Sequence, residues 1–194
     1  MQHQHFLLFK PWGYLSQFVN NEQHQKKRNK LLGELYDFPE GTMPIGRLDL
    51  DSEGLLLLTT DGKTSYHILS NKVEKEYYAQ VDGVITQEAL QQLQNGVKIT
   101  VEGDKYTTKP CQAFLVTPPD NLPERAKKIR DERHGPTTWV SITLREGKFR
   151  QVRKMTAAVG FPTLRLVRMR IGNIKFENLK AGEVIALESE LDIM

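Results

Sequence analysis

Apolar and polar positions divide the chain into short strands, a few helical segments and long polar connections. Phe6-Leu7-Leu8-Phe9 reads as a strand that runs into Lys10-Pro11-Trp12-Gly13-Tyr14, where proline and glycine force a turn. Leu55 to Thr60 begins with four consecutive leucines and closes at Asp61-Gly62, which predicts a short, fully buried strand followed by a turn. Residues 63–70 read as a short helix with Tyr66 and Leu69 or Ser70 on one side. Glu76 to Val81 is aromatic and β-branched with partial alternation, a strand pattern. Thr86 to Asn95 predicts a helix with Thr86 as N-cap, Gly96 past its end, and Ala89, Leu90 and Leu93 on its buried face. Val97 to Val101, Ala113 to Thr117 and the alternating Trp139 to Leu144 are further strands. Arg150 to Val159 predicts a helix ended by Gly160 and Pro162, with Val152, Met155 and Val159 on one face. Arg150 and Arg153, three apart, are neighbours on another face.

The connections are as informative. Residues 20–30 are polar and basic without apolar periodicity, an exposed segment. Leu31, Leu32 and Leu35 suggest a helical turn before the breakers Pro39, Gly41 and Pro44. Residues 118–136 form a long loop rich in Lys and Arg, of the kind that is usually functional or disordered. Ahead of the leucines, Gly46 and Gly54 bracket Arg47, Asp49, Asp51, Ser52 and Glu53. So polar a stretch cannot be core, and it predicts a shaped loop at the edge of a rigid strand. On composition alone a solvated loop is the plainer reading. A calcium loop fits poorly, because the EF-hand spacing and closing glutamate are absent.

Composition narrows the classes. The 194 residues suit one well-cored domain or one domain of two lobes. A single cysteine, Cys111, excludes an internal disulfide and suits a reducing cytoplasm. No apolar run is long enough to span a membrane, and the N-terminus lacks a signal-peptide pattern. His3 and His5 are expected to be inert in a mobile terminus. Net charge is only +3, but residues 124–170 hold thirteen basic residues against four acidic ones. Basic charge gathered on part of a near-neutral chain is the footprint of a polyanion, and nucleic acid is the expected partner.

The motifs sharpen this. Gly46-Arg47-Leu48-Asp49, followed by Ser52-x-Gly54-Leu55-Leu56-Leu57-Leu58-Thr59-x-Asp61-Gly62, closely resembles the signature of the RNA pseudouridine synthases of the RsuA/RluB/E/F group. Lys10-Pro11-x-Gly13-Tyr14 resembles the opening of that family's catalytic domain. Lys75-Glu76-Tyr77 resembles its second motif, and Glu146-Gly147-x-x-Arg150-Gln151-Val152-Arg153-x-Met155 its third. Leu164 to Arg168, Ile171-Gly172 and Leu179-x-x-Gly182-Glu183 complete the C-terminal pattern. The resemblance covers about residues 6–187. The catalytic pattern begins almost at once, so no S4-type RNA-binding domain is expected. That feature, and the Pro136 to Leu144 stretch, resemble the large-subunit ribosomal RNA synthase E type.

The resemblance implies an α+β fold, with a mixed, largely antiparallel sheet, flanking helices and a basic cleft, in a single catalytic domain of two lobes over residues 1–194. It implies isomerisation of uridine to pseudouridine in large-subunit ribosomal RNA; a cytoplasmic location is expected, and a monomer is the default expectation for an oligomeric state the sequence leaves open. The reaction breaks the N1–C1′ bond and rejoins the base through C5, so no redox cofactor is expected. No metal is expected either, since CxxC and HExxH patterns are absent. Asp49 is implied as the carboxylate, kept ionised by Arg153, with Tyr77 against the uracil and able to relay the C5 proton. Arg47 is implied to fill the space vacated by a flipped base. Lys10, Lys148, Arg150, Lys154 and Arg168 are the further expected RNA contacts. Asp51 and Glu53, rivals of Asp49, are expected to be solvated or capping. Two other classes compete: a non-catalytic RNA-binding or assembly protein, and a metal-dependent nuclease using Asp49, Asp51 and Glu53.

Overall fold

Four adjacent leucines in one strand can all leave water only if both faces of that strand are covered. The computed structural model, which describes residues 3–19, 29–70 and 73–187, meets that requirement. In chain order the strands are β1 (His5–Lys10), β2 (Met43–Ile45), β3 (Glu53–Thr59), β4 (Lys75–Asp82), β5 (Lys98–Val101), β6 (Asp104–Thr107), β7 (Gln112–Leu115), β8 (Thr137–Leu144), β9 (Thr163–Ile171), β10 (Ile174–Lys175) and β11 (Val184–Leu187). The helices are α1 (Gly62–Ser70), α2 (Gln87–Asn95) and α3 (Gln151–Ala158). The fold is α+β, built on mixed, mostly antiparallel sheet, as expected.

The chain divides into two compact units, one of Met1–Val73, Pro123–Lys127 and Ile171–Met194, the other of Glu74–Leu122 and Lys128–Arg170. In the first, β1 lies between β11 and β3, antiparallel to both. Its register sets Leu8 opposite Leu56 and Phe6 opposite Leu58. These four pack with Leu32 and, at the margin, Phe18, Leu35 and Phe38. Every residue of β3 is buried, including the other leucines, Leu55 and Leu57. Asp61 then starts α1: its carboxylate accepts from the Lys63 and Thr64 amides and the Thr64 hydroxyl, so the expected turn is also a helix cap. These bonds, the Thr64 hydroxyl first, hold its carboxyl below the usual carboxylate range. In α1 the buried residues are Ser65 and Ile68. The side that carries Tyr66 and Leu69 faces solvent.

In the second unit β4 lies between β9 and β8, with β7 beyond β8. Ala79, Val81, Val140, Ile142, Leu144, Leu90, Leu93, Val152 and Met155 share one core. Helix α2 has the expected cap, Thr86 Oγ1 accepting from the Ala89 amide at 3.2 Å, and the expected buried face. Helix α3 likewise ends before Gly160, whose φ is +91°. Strand β6, which the apolar pattern does not predict, pairs with β5 through Glu102-Gly103, both at positive φ. That is the twist a two-residue hairpin turn needs.

Several expectations change. His5 does not lie in a mobile terminus; it opens β1, buried, with Nδ1 2.9 Å from Thr59 Oγ1. Strand β9 reads poorly from sequence because Arg165 and Arg168 are buried along with its apolar residues. Residues 20–28 of the expected exposed segment lie outside the described residues.

Gly96 gives a direct test of this packing. Its φ is +99°, and an added Cβ would stand 2.3 Å from the Thr108 carbonyl oxygen. Gly96→Ala should cost on the order of 1–3 kcal/mol from backbone strain alone, and more from the clash. Gly103→Ala, at φ +93° with open space around it, should cost less when both are compared by urea unfolding.

Candidate active site

The expected site residues fall on both units. Lys10, Arg47 and Asp49 belong to the first, and Tyr77, Lys148, Arg150, Arg153, Lys154 and Arg168 to the second.

In the first unit the polar loop between β2 and β3 is held by its backbone. Leu48 is buried and anchors it. The Ser16 hydroxyl donates to the Leu48 carbonyl at 2.8 Å and accepts from the Leu48 amide at 2.9 Å. The Gly13 amide donates to the Leu50 carbonyl at 2.8 Å, and the Ser52 amide closes a turn on the Asp49 carbonyl at 3.1 Å. Gly46, at φ +74°, provides the bend into this turn. Asp49 is thus a partly buried residue at the start of a turn fastened from three directions. Arg47 is exposed. The Lys-Pro-x-Gly-Tyr motif has a structural purpose here: Gly13 supplies one of the fastenings.

Of the neighbouring acidic residues, Glu53 is not solvated. Glu53 is buried in β3, and its carboxylate lies 3.5 Å from Arg125 Nε. Asp51 is partly buried, and its carbonyl accepts from Arg125 Nη2 at 3.5 Å. The Arg125 guanidinium and the Lys127 ammonium lie 5.7 and 5.2 Å from the centre of the Trp12 ring. Such cation–ring contacts are electrostatically favourable. Lys10, expected at RNA, has no exposed surface, and its ammonium donates to the Pro11 carbonyl at 3.1 Å.

In the second unit Tyr77 is partly buried against the core and pairs across with Ile142. Before it, Lys75 is unusual: burial, and then the nearby Arg168 charge, push its ammonium down to about 8. Arg168 is itself buried at 2% exposure, so neither it nor Lys10 offers RNA an open side chain in this conformation. Arg150 occupies the N-cap of α3 in the left-handed region, φ +54°, an uncommon position for a side chain of its size. Arg153 is partly buried, with Nη1 3.5 Å from the Thr163 carbonyl. The Lys148 and Lys154 ammonium groups lie over the rings of Tyr106 and Phe149, 5.0 and 5.2 Å from their centres.

Sequence reasoning did not assign Glu146 and Gln151 a purpose beyond the motif. Glu146 accepts from the Tyr106 hydroxyl at 2.5 Å, the Lys109 amide at 3.0 Å and the Gln151 side chain at 2.6 Å. Burial pushes the Glu146 carboxyl up, but these donors outweigh it and hold it below the ordinary range. Gln151 in turn accepts from the Lys148 amide at 2.9 Å. The third motif thereby ties the start of α3 to the β5–β6 hairpin. Much of the basic excess is already paired inside the protein: Arg130 with Asp82, Arg133 with Asp131, and Arg145 and Arg170 with Glu74. Cys111 is unsuited to act as a nucleophile, since burial, and then the Glu146 charge, push its thiol up to about 11. Among the described residues no group of His, Cys, Asp and Glu could hold a metal ion, and no helix is long and apolar enough to cross a membrane.

Residues 4–158 match the family described as RNA pseudouridylate synthase, and the chain belongs to that family of isomerases. It is 41% identical over 175 residues to ribosomal large subunit pseudouridine synthase E of Xanthomonas axonopodis pv. citri, covering 89% of this chain and 88% of that one. The synthase E of Vibrio vulnificus is 40% identical over 90% of this chain and 70% of its own length. A crystal structure of a pseudouridylate synthase matches with a TM-score of 0.72 at 27% identity, over 96% of this chain and 70% of that one.

Two outcomes follow. Ser16→Ala strands the buried amide and carbonyl of Leu48 and should cost about 1–3 kcal/mol per group in chemical unfolding. Lys75, with its folded pKa near 8, binds fewer protons folded than unfolded between pH 8 and about 10.4. Stability should therefore rise with pH across that window, and Lys75→Met should flatten the rise in unfolding curves measured from pH 7 to 10.5.

Proposed function

We propose that this protein isomerises a specific uridine to pseudouridine in large-subunit ribosomal RNA, acting in the cytoplasm as a monomer without a cofactor. The observation that carries the substrate class is the 41% identity to a ribosomal large subunit pseudouridine synthase E, which extends over nearly the full length of both chains.

Asp49 is the proposed catalytic carboxylate. A carboxylate can attack the sugar or base, or stabilise an oxocarbenium-like state, as in glycosidic chemistry. Reaction at a flipped nucleotide rewards a group whose backbone does not have to be ordered at each turnover. The fastenings at Leu48, Leu50 and Ser52 support this reading of Asp49. Tyr77 is the proposed platform for the uracil, a contact worth about 1–3 kcal/mol per stacked base. Arg153 is the proposed cation that keeps the carboxylate ionised, and Arg47 the side chain that replaces the flipped base. Arg47 is suited to this by its exposure. Lys148, Arg150 and Lys154 are proposed to meet phosphates. The buried Lys10 and Arg168 are better suited to supporting the loop and strand around them.

The test is pseudouridine formation on large-subunit ribosomal RNA in excess chelator, with wild type and Asp49→Asn side by side. Wild type should form product and Asp49→Asn should lose essentially all of it. Product from both would move the chemistry off Asp49. Loss of wild-type activity in chelator, with cleaved RNA when metal is restored, would favour the nuclease reading. Tight RNA binding by wild type without product on either free RNA or assembly particles would favour a binding protein.

A further inference from the structure

The long loop between β7 and β8 belongs mostly to the second unit, yet its segment Pro123–Lys127 packs as part of the first. Its central residue is Arg125, whose side chain is only 10% exposed. A guanidinium buried so far must have partners that repay its lost hydration. Arg125 is directed at three supports of the Asp49 turn. Its Nε lies 3.5 Å from the Glu53 carboxylate, itself 2% exposed, at the downstream end of the turn. Its Nη2 reaches the Asp51 carbonyl, 3.5 Å away, inside the turn. Its Cζ lies 5.7 Å from the centre of the Trp12 ring, next in sequence to the Gly13 amide that holds Leu50.

We propose that Arg125 is a positioning residue for Asp49: the Pro123–Lys127 segment is a strap that holds the Asp49–Ser52 turn against the Trp12-Gly13 corner. The inference rests on Asp49 being the catalytic carboxylate. Arginine suits the task because a planar fork can serve a carboxylate and a carbonyl at once while stacking on an aromatic face. A lysine at this position would supply the charge from a single nitrogen. The competing reading is a buried ion pair that does no more than satisfy Glu53, and a neutral pair of similar shape would then replace it without loss.

The experiment uses the Arg125→Met, Glu53→Gln double variant, which removes both charges and leaves no buried carboxylate behind. Amide hydrogen exchange at Ser52, whose N–H closes the turn, is measured by NMR with Leu56 and Leu58 of β3 as references. Steady-state pseudouridine formation is measured alongside. The strap predicts Ser52 exchange at least about tenfold faster with the references unchanged. It also predicts kcat lower by about tenfold or more with KM within about twofold, because a small misplacement of a reacting group costs rate rather than binding. Glu124→Ala, an exposed change in the same segment away from the Trp12 ring, should leave Ser52 exchange at its wild-type value. Wild-type values of either readout in a folded double variant overturn the proposal. If the double variant does not fold, Arg125→Lys is read by the same criteria, since it keeps the cation but not the fork. If wild type forms no pseudouridine, the functional reading fails, and Ser52 exchange still decides whether Arg125 holds the turn.

Discussion

A single hydroxyl carries much of the order in the first unit. Ser16 bonds to both the amide and the carbonyl of Leu48, thirty-two residues away, and so joins the segment after the first strand to the turn that bears Asp49. Leu48 is buried, so neither backbone group has water as an alternative partner. Where an interior group has one possible partner, removing it exposes the full desolvation cost, and geometry is held tightly for that reason. The Gly13 amide on Leu50 and the closing bond at Ser52 extend the same hold to the next four residues. A side chain at position 49 inherits a fixed backbone from all of this, whatever chemistry it performs.

Burial of charge is the second recurring device. Lys10, Glu53, Arg165 and Arg168 are all largely removed from solvent. An ion in the interior is unfavourable unless geometry and partners compensate it, so each of these residues depends on the groups around it. In the second unit the effect is visible in Lys75, whose ammonium is depressed to about 8 by burial and by Arg168. Glu146 works in the opposite sense: its donors from Tyr106, Lys109 and Gln151 stabilise the carboxylate and bind a hairpin to the start of α3. Part of the basic charge in residues 124–170 is therefore engaged inside the protein. Arg125, Arg130, Arg145 and Arg170 are engaged with carboxylates of the protein itself. The Lys148 and Lys154 ammonium groups instead lie over aromatic rings.

How much of this was legible in the residues varies from element to element. Helix α2 was readable in full, because Thr86, Gly96 and the 89–90–93 spacing are local signals obeyed by local physics. The same holds for α3 and Gly160. Strand β3 was readable because a continuous leucine run bounded by a turn has few alternatives at that length. Strands β6 and β9 were not, since in one a turn supplied the pairing and in the other buried arginines broke the apolar pattern. Asp49 and its motif were legible by resemblance, whereas residue pattern alone indicated only a polar loop before a buried strand.

Sequence by itself determined the parts whose causes lie within a few residues: helix caps, the buried leucine strand, the glycine that bends the chain before Asp49, and the motif spacing that marks the family. Tertiary structure alone decided what each charge does. Glu53 and Lys10 look like solvent-facing residues in any local reading, yet both are buried, and Arg125 meets Glu53 across seventy-two positions of chain. No local pattern encodes that pairing, because the energy of a charge depends on which partners and how much water surround it, and both are settled only when distant segments pack.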